Sequence, residues 1–124
     1  MLNLNSIMIG TAQVDLMAQF YKELIGRDAD MIDGNWHGWQ IGSAFLTIGD
    51  HSEVQGSAKE PQRIILNLET SEVEDEFNRI SQIENVSVVK EPYDMGGMMI
   101  ATFADPDGNY IQLMTPWEQE NVVN

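Results

Sequence analysis

The chain of 124 residues contains no cysteine. Disulfides, thiolate metal ligands and cysteine nucleophiles are excluded together. Basic residues are scarce, with six Lys and Arg against twenty Asp and Glu and a formal net charge of −14. A field of that sign repels phosphate backbones and anionic bilayers, which argues against nucleic acid and membrane surfaces as partners. It leaves an acidic, highly soluble surface, or one that attracts a cationic ligand. Histidine occurs only twice, at His37 and His51. No apolar run approaches the roughly 20 residues that span a bilayer. Gly-x-x-x-x-Gly-Lys, Gly-x-Gly-x-x-Gly and Gly-x-Ser-x-Gly are all absent, which removes the phosphate loop, the dinucleotide fingerprint and the serine elbow. The first five residues, Met1 to Asn5, lack the basic segment and apolar core of a secretory signal, so a cytoplasmic location is expected.

What remains is a chain of one-domain size, 43% hydrophobic and mixed in its polar part, which suits a soluble globular protein with a real core. Its pattern repeats. Leu4–Ile9 is a β-rich run, and Val14–Ile25 reads as a helix, because Val14, Met17, Phe20, Tyr21 and Leu24 fall at three- and four-residue spacing. Gly26 stands where a C-cap glycine belongs. Strands are expected at Asp28–Ile32, Trp36–Ile41 and Ala44–Ile48, separated by turns at Asp33-Gly34-Asn35 and Gly42-Ser43. After a polar linker over residues 50–62, the order recurs. Arg63–Leu68 is a strand. A helix capped by Ser71 or Thr70, with Glu74 completing a capping box with Ser71, runs to about Ile83, burying Val73, Phe77, Ile80 and Ile83. Strands follow at Val86–Lys90, Met98–Ala104 and Tyr110–Met114. The expectation is α+β: module one at about 1–49, module two at about 63–116, and a tail at 117–124.

Strand alternation separates two faces. Ile7, Ile9, Leu46, Ile48, Ile64, Leu66, Leu68, Ile111 and Leu113 suit a face covered by helices. Ser6, Met8, Phe45, Thr47, Arg63, Ile65, Asn67, Tyr110 and Gln112 suit the other, a mixed surface fit for a ligand. Trp36, Trp39, Tyr93 and several methionines add rigid rings and adaptable thioethers to its lining or rim. Trp36 and Trp39 lie three apart on one strand, so only one of them points to that surface, and parity does not say which. Met95-Gly96-Gly97-Met98 reads as a mobile flap.

The run Phe103-Ala104-Asp105-Pro106-Asp107-Gly108-Asn109-Tyr110-Ile111-Gln112-Leu113 is a hairpin. Pro106 presets one corner, Gly108 permits positive φ, and Asp105, Asp107 and Asn109 can hydrogen-bond nearby backbone. Together with Phe20-Tyr21-Lys22-Glu23-Leu24-Ile25-Gly26 inside a repeated β-α-β-β-β order, it resembles the vicinal oxygen chelate superfamily of glyoxalases, bleomycin-resistance proteins and extradiol dioxygenases. The resemblance covers about Leu4 to Pro116. It implies two βαβββ modules whose mixed sheet curls into a cup with helices outside, and a homodimer. In metal-dependent members, four inward residues hold a divalent ion. The resemblance puts those slots at Ser6, at or near Thr47, at Ile65 (or at Arg63 if the register slips by two) and at Gln112. Hydroxyls, an amide and an alkyl chain are poor ligands for a divalent ion, so no metal cofactor is expected. A displaced site using His37 or His51 with Glu69 or Asp94 is the alternative.

The expected function is binding of a small, cationic or aromatic molecule without metal, as bleomycin-resistance relatives sequester a drug. The residues expected to shape the pocket are Ser6, Thr47, Arg63, Ile65, Asn67, Tyr110 and Gln112, with Trp36 or Trp39 stacking on the ligand. The alternatives are a metal-dependent lyase, isomerase or dioxygenase with a displaced site, and an interaction module without a ligand.

Overall fold

The computed structural model describes residues 1–117, and all but the first residue of the expected tail at 117–124 lies outside the described residues. The chain divides into two compact units, Met1–Ser57 and Ala58 onward. Each carries a four-stranded sheet and one α-helix, an α+β architecture of two βαβββ modules. No helix among the described residues is long and apolar enough to cross a membrane.

In the first unit, β1 (Ser6–Thr11), α1 (Val14–Ile25), β2 (Met31–Asp33), β3 (Trp36–Ile41) and β4 (Ala44–Asp50) follow in order. The sheet order is β1-β4-β3-β2, with β1 parallel to β4 and the other pairs antiparallel. The helix forms where the three-and-four spacing places it, burying Met17, Ala18, Phe20, Tyr21 and Leu24 and leaving its charged face in water. It ends at Gly26, whose φ of 89° lets its amide turn back to the Lys22 carbonyl. Leu46, Ile48 and Trp39 complete this core. β1 begins later than the composition suggested, because Leu2 and Leu4 are fully or nearly exposed. β2 is shifted to Met31–Asp33. The residues before it form a loop, where Arg27 binds the Asp30 carboxylate and the Gln40 carbonyl and Asp30 accepts the Gln40 amide at 2.7 Å.

In the second unit, a 3₁₀ turn at Pro61–Arg63 leads into β5 (Ile65–Glu69), α2 (Val73–Ile80), β6 (Ser87–Met95), β7 (Met98–Ala104) and β8 (Tyr110–Met114). The sheet order β5-β8-β7-β6 repeats that of the first unit, with β5 parallel to β8. Phe77 of α2 stacks on Phe103 of β7 at 5.0 Å, over a core of Val73, Ile80, Ala101, Ile111 and Leu113.

Four local expectations give way here. The Ser71–Glu74 capping box does not form: Glu72 is the N-cap, with no side-chain cap bond, and the Thr70 hydroxyl accepts the Glu72 amide instead. The helix stops at Ile80, and Ile83 sits in the following turn, bonded to the Ile80 carbonyl. Met95–Met98 closes the β6–β7 hairpin as a tight turn rather than a flap. Met95 pairs with Met98, both glycines take positive φ, and Asp94 accepts the Gly97 amide at 2.8 Å. Ile64, expected on the helix face, precedes β5 and is 77% exposed.

The Asp105–Asn109 turn forms as its residues suggest. Asp105 is buried and accepts the amides of Asp107 and Asn109 and the Asn109 side chain, at 2.9, 3.0 and 3.0 Å. The Asp105 amide also donates to the Asn109 carbonyl across the turn, at 2.9 Å. A carboxylate satisfying several donors at once fixes the register in which β8 leaves the turn.

Candidate functional site

Register settles which residues share the helix-free face of each sheet. In the first unit, Ser6 lies opposite Phe45, Met8 opposite Thr47, and Gly10 opposite Gly49; Phe45, Thr47 and Gly49 in turn face Gln40, Gly38 and Trp36. Trp36 therefore belongs to the helix-free face. Trp39 lies opposite Leu46 in the helix-side core, only 1% exposed, its indole donating to the Arg27 carbonyl at 3.1 Å. His37 is on the Trp39 side and stacks on it at 6.5 Å. The ambiguity between the two tryptophans resolves in favour of Trp36, because β3 places them on opposite faces.

Two glycines shape this face. A Cβ at Gly49 would stand 2.2 Å from the Trp36 ring, and one at Gly38 would stand 2.6 Å from the Phe45 ring. The rings lie where side chains would otherwise rise, so Trp36 and Phe45 lean over the sheet rather than away from it. Over Gly10, in the same row as Trp36, sit His51 and Val54. The His51 Nδ1 accepts the Glu53 amide at 3.1 Å, which commits that nitrogen to the local turn. Half-buried Trp36, Phe45 and Thr47, with Met8 45% exposed, make a flat apolar platform with a hydroxyl near its centre. The Thr47 hydroxyl reaches the Ile7 carbonyl only at 3.5 Å.

In the second unit, the helix-free face carries Ile65 opposite Tyr110 and Asn67 opposite Gln112. Gln112 faces Thr102, and Thr102 faces Lys90. Gln112 Nε2 donates to Asn67 Oδ1 at 3.0 Å. Arg63 lies in the 3₁₀ turn before the strand, paired with Glu60 at 3.3 Å. The register slip that would have put it in the third slot is not realised. Counting agrees between units: Ser6 and Ile65 each stand eight residues before the first residue of their helix, Val14 and Val73.

The donor set can be tested against a divalent ion unit by unit. The first offers the Ser6 and Thr47 hydroxyls. The second offers an alkyl chain at Ile65 and an amide at Gln112 that is tied to Asn67. None supplies a charge or an imidazole, so these residues do not fit a divalent cation. Among the described residues, no group of three or more His, Asp or Glu side chains is placed to hold a metal.

Sequence reasoning missed Lys90, Thr102 and the two glycines that lie beneath the Trp36 and Phe45 rings. The glycines carried a readable signal, since Gly38 and Gly49 interrupt strands that also hold large rings. Lys90 carried none, because its face depends on a register shift between Val88 and Lys90.

A model of the glyoxalase/bleomycin resistance protein/dioxygenase superfamily matches residues 3–113. Among solved structures, a hypothetical protein from S. aureus is 23% identical with a TM-score of 0.77, the match covering 94% of this chain and 95% of that one. A glyoxalase-related enzyme from Fulvimarina pelagi is 17% identical with a TM-score of 0.78, over 100% and 98% of the two chains. A glyoxalase/bleomycin resistance protein/dioxygenase family enzyme from Burkholderia phytofirmans is 19% identical with a TM-score of 0.73, over 92% and 98%. At these identities the structural likeness establishes the fold. No curated protein matches the chain.

Proposed function

The chain belongs to the glyoxalase/bleomycin resistance protein/dioxygenase superfamily, and from that premise we propose that it binds a planar aromatic small molecule without a metal ion. The observation that carries this reading is the Trp36–Phe45 platform, held flat by the absence of side chains at Gly49 and Gly38. Flat rings offer contact area at low entropic cost. The poor donor set at Ser6, Thr47, Ile65 and Gln112 supports binding in place of metal-assisted turnover. The net charge of −14 favours ligands that also carry positive charge, through a field that salt screens. Sequestration of an antibiotic or other toxic compound, in the cytoplasm and by a homodimer, is the biological role this reading proposes. Ser6, Met8 and Thr47 would border the stacked ligand.

Tryptophan-fluorescence titration with proflavine, a planar cation, and 1-naphthol, a planar neutral compound, tests the proposal. Saturable quenching by either is expected, with Trp36→Ala weakening it roughly tenfold, about 1.4 kcal/mol. High salt should weaken proflavine and spare 1-naphthol. Quenching that survives Trp36→Ala undiminished would sink the platform as the site. The second reading is a metal-dependent lyase, isomerase or dioxygenase with a displaced site. Stoichiometric metal in the purified protein would favour it.

A further inference from the structure

The helix-free face of the second unit differs in kind from that of the first. Asn67, Gln112, Thr102 and Lys90 are successive partners across β5, β8, β7 and β6. With strands about 4.8 Å apart, the row spans about 14 Å. Ile65, Tyr110, Ala104 and Ser87 flank it on one side, and Glu69, Met114, Ile100 and Tyr93 on the other; Glu69 stands at the Asn67 end, three strands from Lys90, and Ile100 and Ala104 are buried.

Capacity for hydrogen bonding is left over along this row. The Gln112–Asn67 bond uses one amide donor and one amide carbonyl. Whichever way the two amides are oriented, the pair still presents an unused carbonyl and an unused NH₂. Thr102, buried at 8% exposure, stands beside them.

Lys90 supplies the charge. Lys22, Arg27, Arg63 and Arg79 are each in an ion pair with a carboxylate. Among the described residues Lys90 has no carboxylate partner; its ammonium sits 5.3 Å from the centroid of the Tyr93 ring. Lys59 also forms no ion pair among the described residues, but it precedes the 3₁₀ turn; of the two, Lys90 is the one carried on a strand. The Tyr93 ring holds it next to the polar row at little cost in hydration.

We propose that this face is a binding site for a small carboxylic acid that carries an amide or lactam group. Lys90 takes the carboxylate, the Gln112–Asn67 pair reads the amide edge with Thr102 beside it, and the half-buried Ile65, Tyr110 and Met114 pack on the rest of the molecule. The proposal rests on the reading that the helix-free faces bind ligands, and it adds a ligand chemistry that the aromatic platform does not specify.

Hippurate (N-benzoylglycine) is a suitable probe, with N-benzoylglycinamide as its uncharged counterpart. Titrations followed by ¹⁵N–¹H NMR read the side-chain amides of Asn67 and Gln112 directly. Hippurate is expected to shift both and to bind about tenfold more tightly than the glycinamide. Lys90→Met should erase that preference while leaving glycinamide binding in place. Gln112→Leu, with folding checked by the dispersion of the spectrum, should weaken both probes. Lys59→Met, which removes the same charge elsewhere in the unit, should change neither. Equal affinity for the two probes, or hippurate binding that ignores Lys90→Met, overturns the proposal. So does the absence of any shift at Asn67 and Gln112. Proflavine quenching at Trp36 in the same sample tells the two failures apart. If it persists, this inference alone fails; if it is also lost, the reading of the helix-free faces fails with it.

Discussion

The first unit lays aromatic rings against its helix-free sheet face, whereas the second sets a row of amides, a hydroxyl and an ammonium on the same face. Their scaffolds match closely. Each runs strand, helix, three strands, in sheets of the same order. Each enters its helix by the same device, a threonine hydroxyl accepting the amide two residues on, Thr11 for Gln13 and Thr70 for Glu72. The divergence lies in the residues opposite one another on the parallel pair. Where the first unit pairs Met8 with Thr47, the second pairs Asn67 with Gln112. A fold repeated within one chain can thus present two chemistries, because alternation along a strand separates the residues that hold the sheet to its helix from those free to vary.

The largest test of this division is the pair of tryptophans on β3. Trp39→Ala removes a buried ring and its bond to Arg27, and should cost about 3–5 kcal/mol in denaturant unfolding. Trp36→Ala, on the open face, should cost under about 1.5 kcal/mol. Equal losses would mean that the two faces are not distinct. Next comes Asp105→Ala, which strips the acceptor from several donors in the β7–β8 turn. A loss of about 3 kcal/mol is expected, with the Asn67–Gln112 row losing its register in NMR spectra while the first unit's signals stay put. Smaller again is Gly49→Ala. Its new methyl meets the Trp36 ring, so a loss of about 1–3 kcal/mol should accompany a changed Trp36 emission. Unchanged emission would break the account of the platform.

The smallest effect concerns pH. The hydrogen bond from Arg27, aided by the Gln40 amide and the Arg27 charge and opposed by desolvation, holds the Asp30 carboxyl below its ordinary 3.8. A depressed folded value stabilises the fold fully above the unfolded value near 3.8 and loses that contribution as pH falls through the folded one. Asp30→Asn should therefore narrow the stability difference between neutral pH and acid without changing ligand binding. An unaltered acid limb would contradict the role assigned to this pair.

Much of the fold was legible in the sequence for identifiable reasons. The helix over Val14–Ile25 follows from its apolar spacing and Gly26, and the β7–β8 hairpin from Asp105-Pro106-Asp107-Gly108-Asn109. The second helix was harder. Ser71 and Glu74 carry a capping pattern, yet Thr70 meets the first amide and Glu72 becomes the cap. Which tryptophan shares a face with Thr47 depends on pairing with β4, which no single strand encodes. Arg63 looked like a strand residue because it precedes an apolar run; Pro61 starts a 3₁₀ turn that takes it out of the sheet. Lys90 reaches its face only through an irregular register, a property of two strands together.

The central claim is that this chain keeps the superfamily's scaffold and binds small molecules without its metal. Elemental analysis of protein purified without chelators from cells grown in metal-replete medium tests it most directly. The account predicts zinc, nickel, manganese and iron all far below one per chain, with proflavine quenching unaltered by EDTA. One equivalent of any of them, removed by EDTA together with ligand binding, would contradict it.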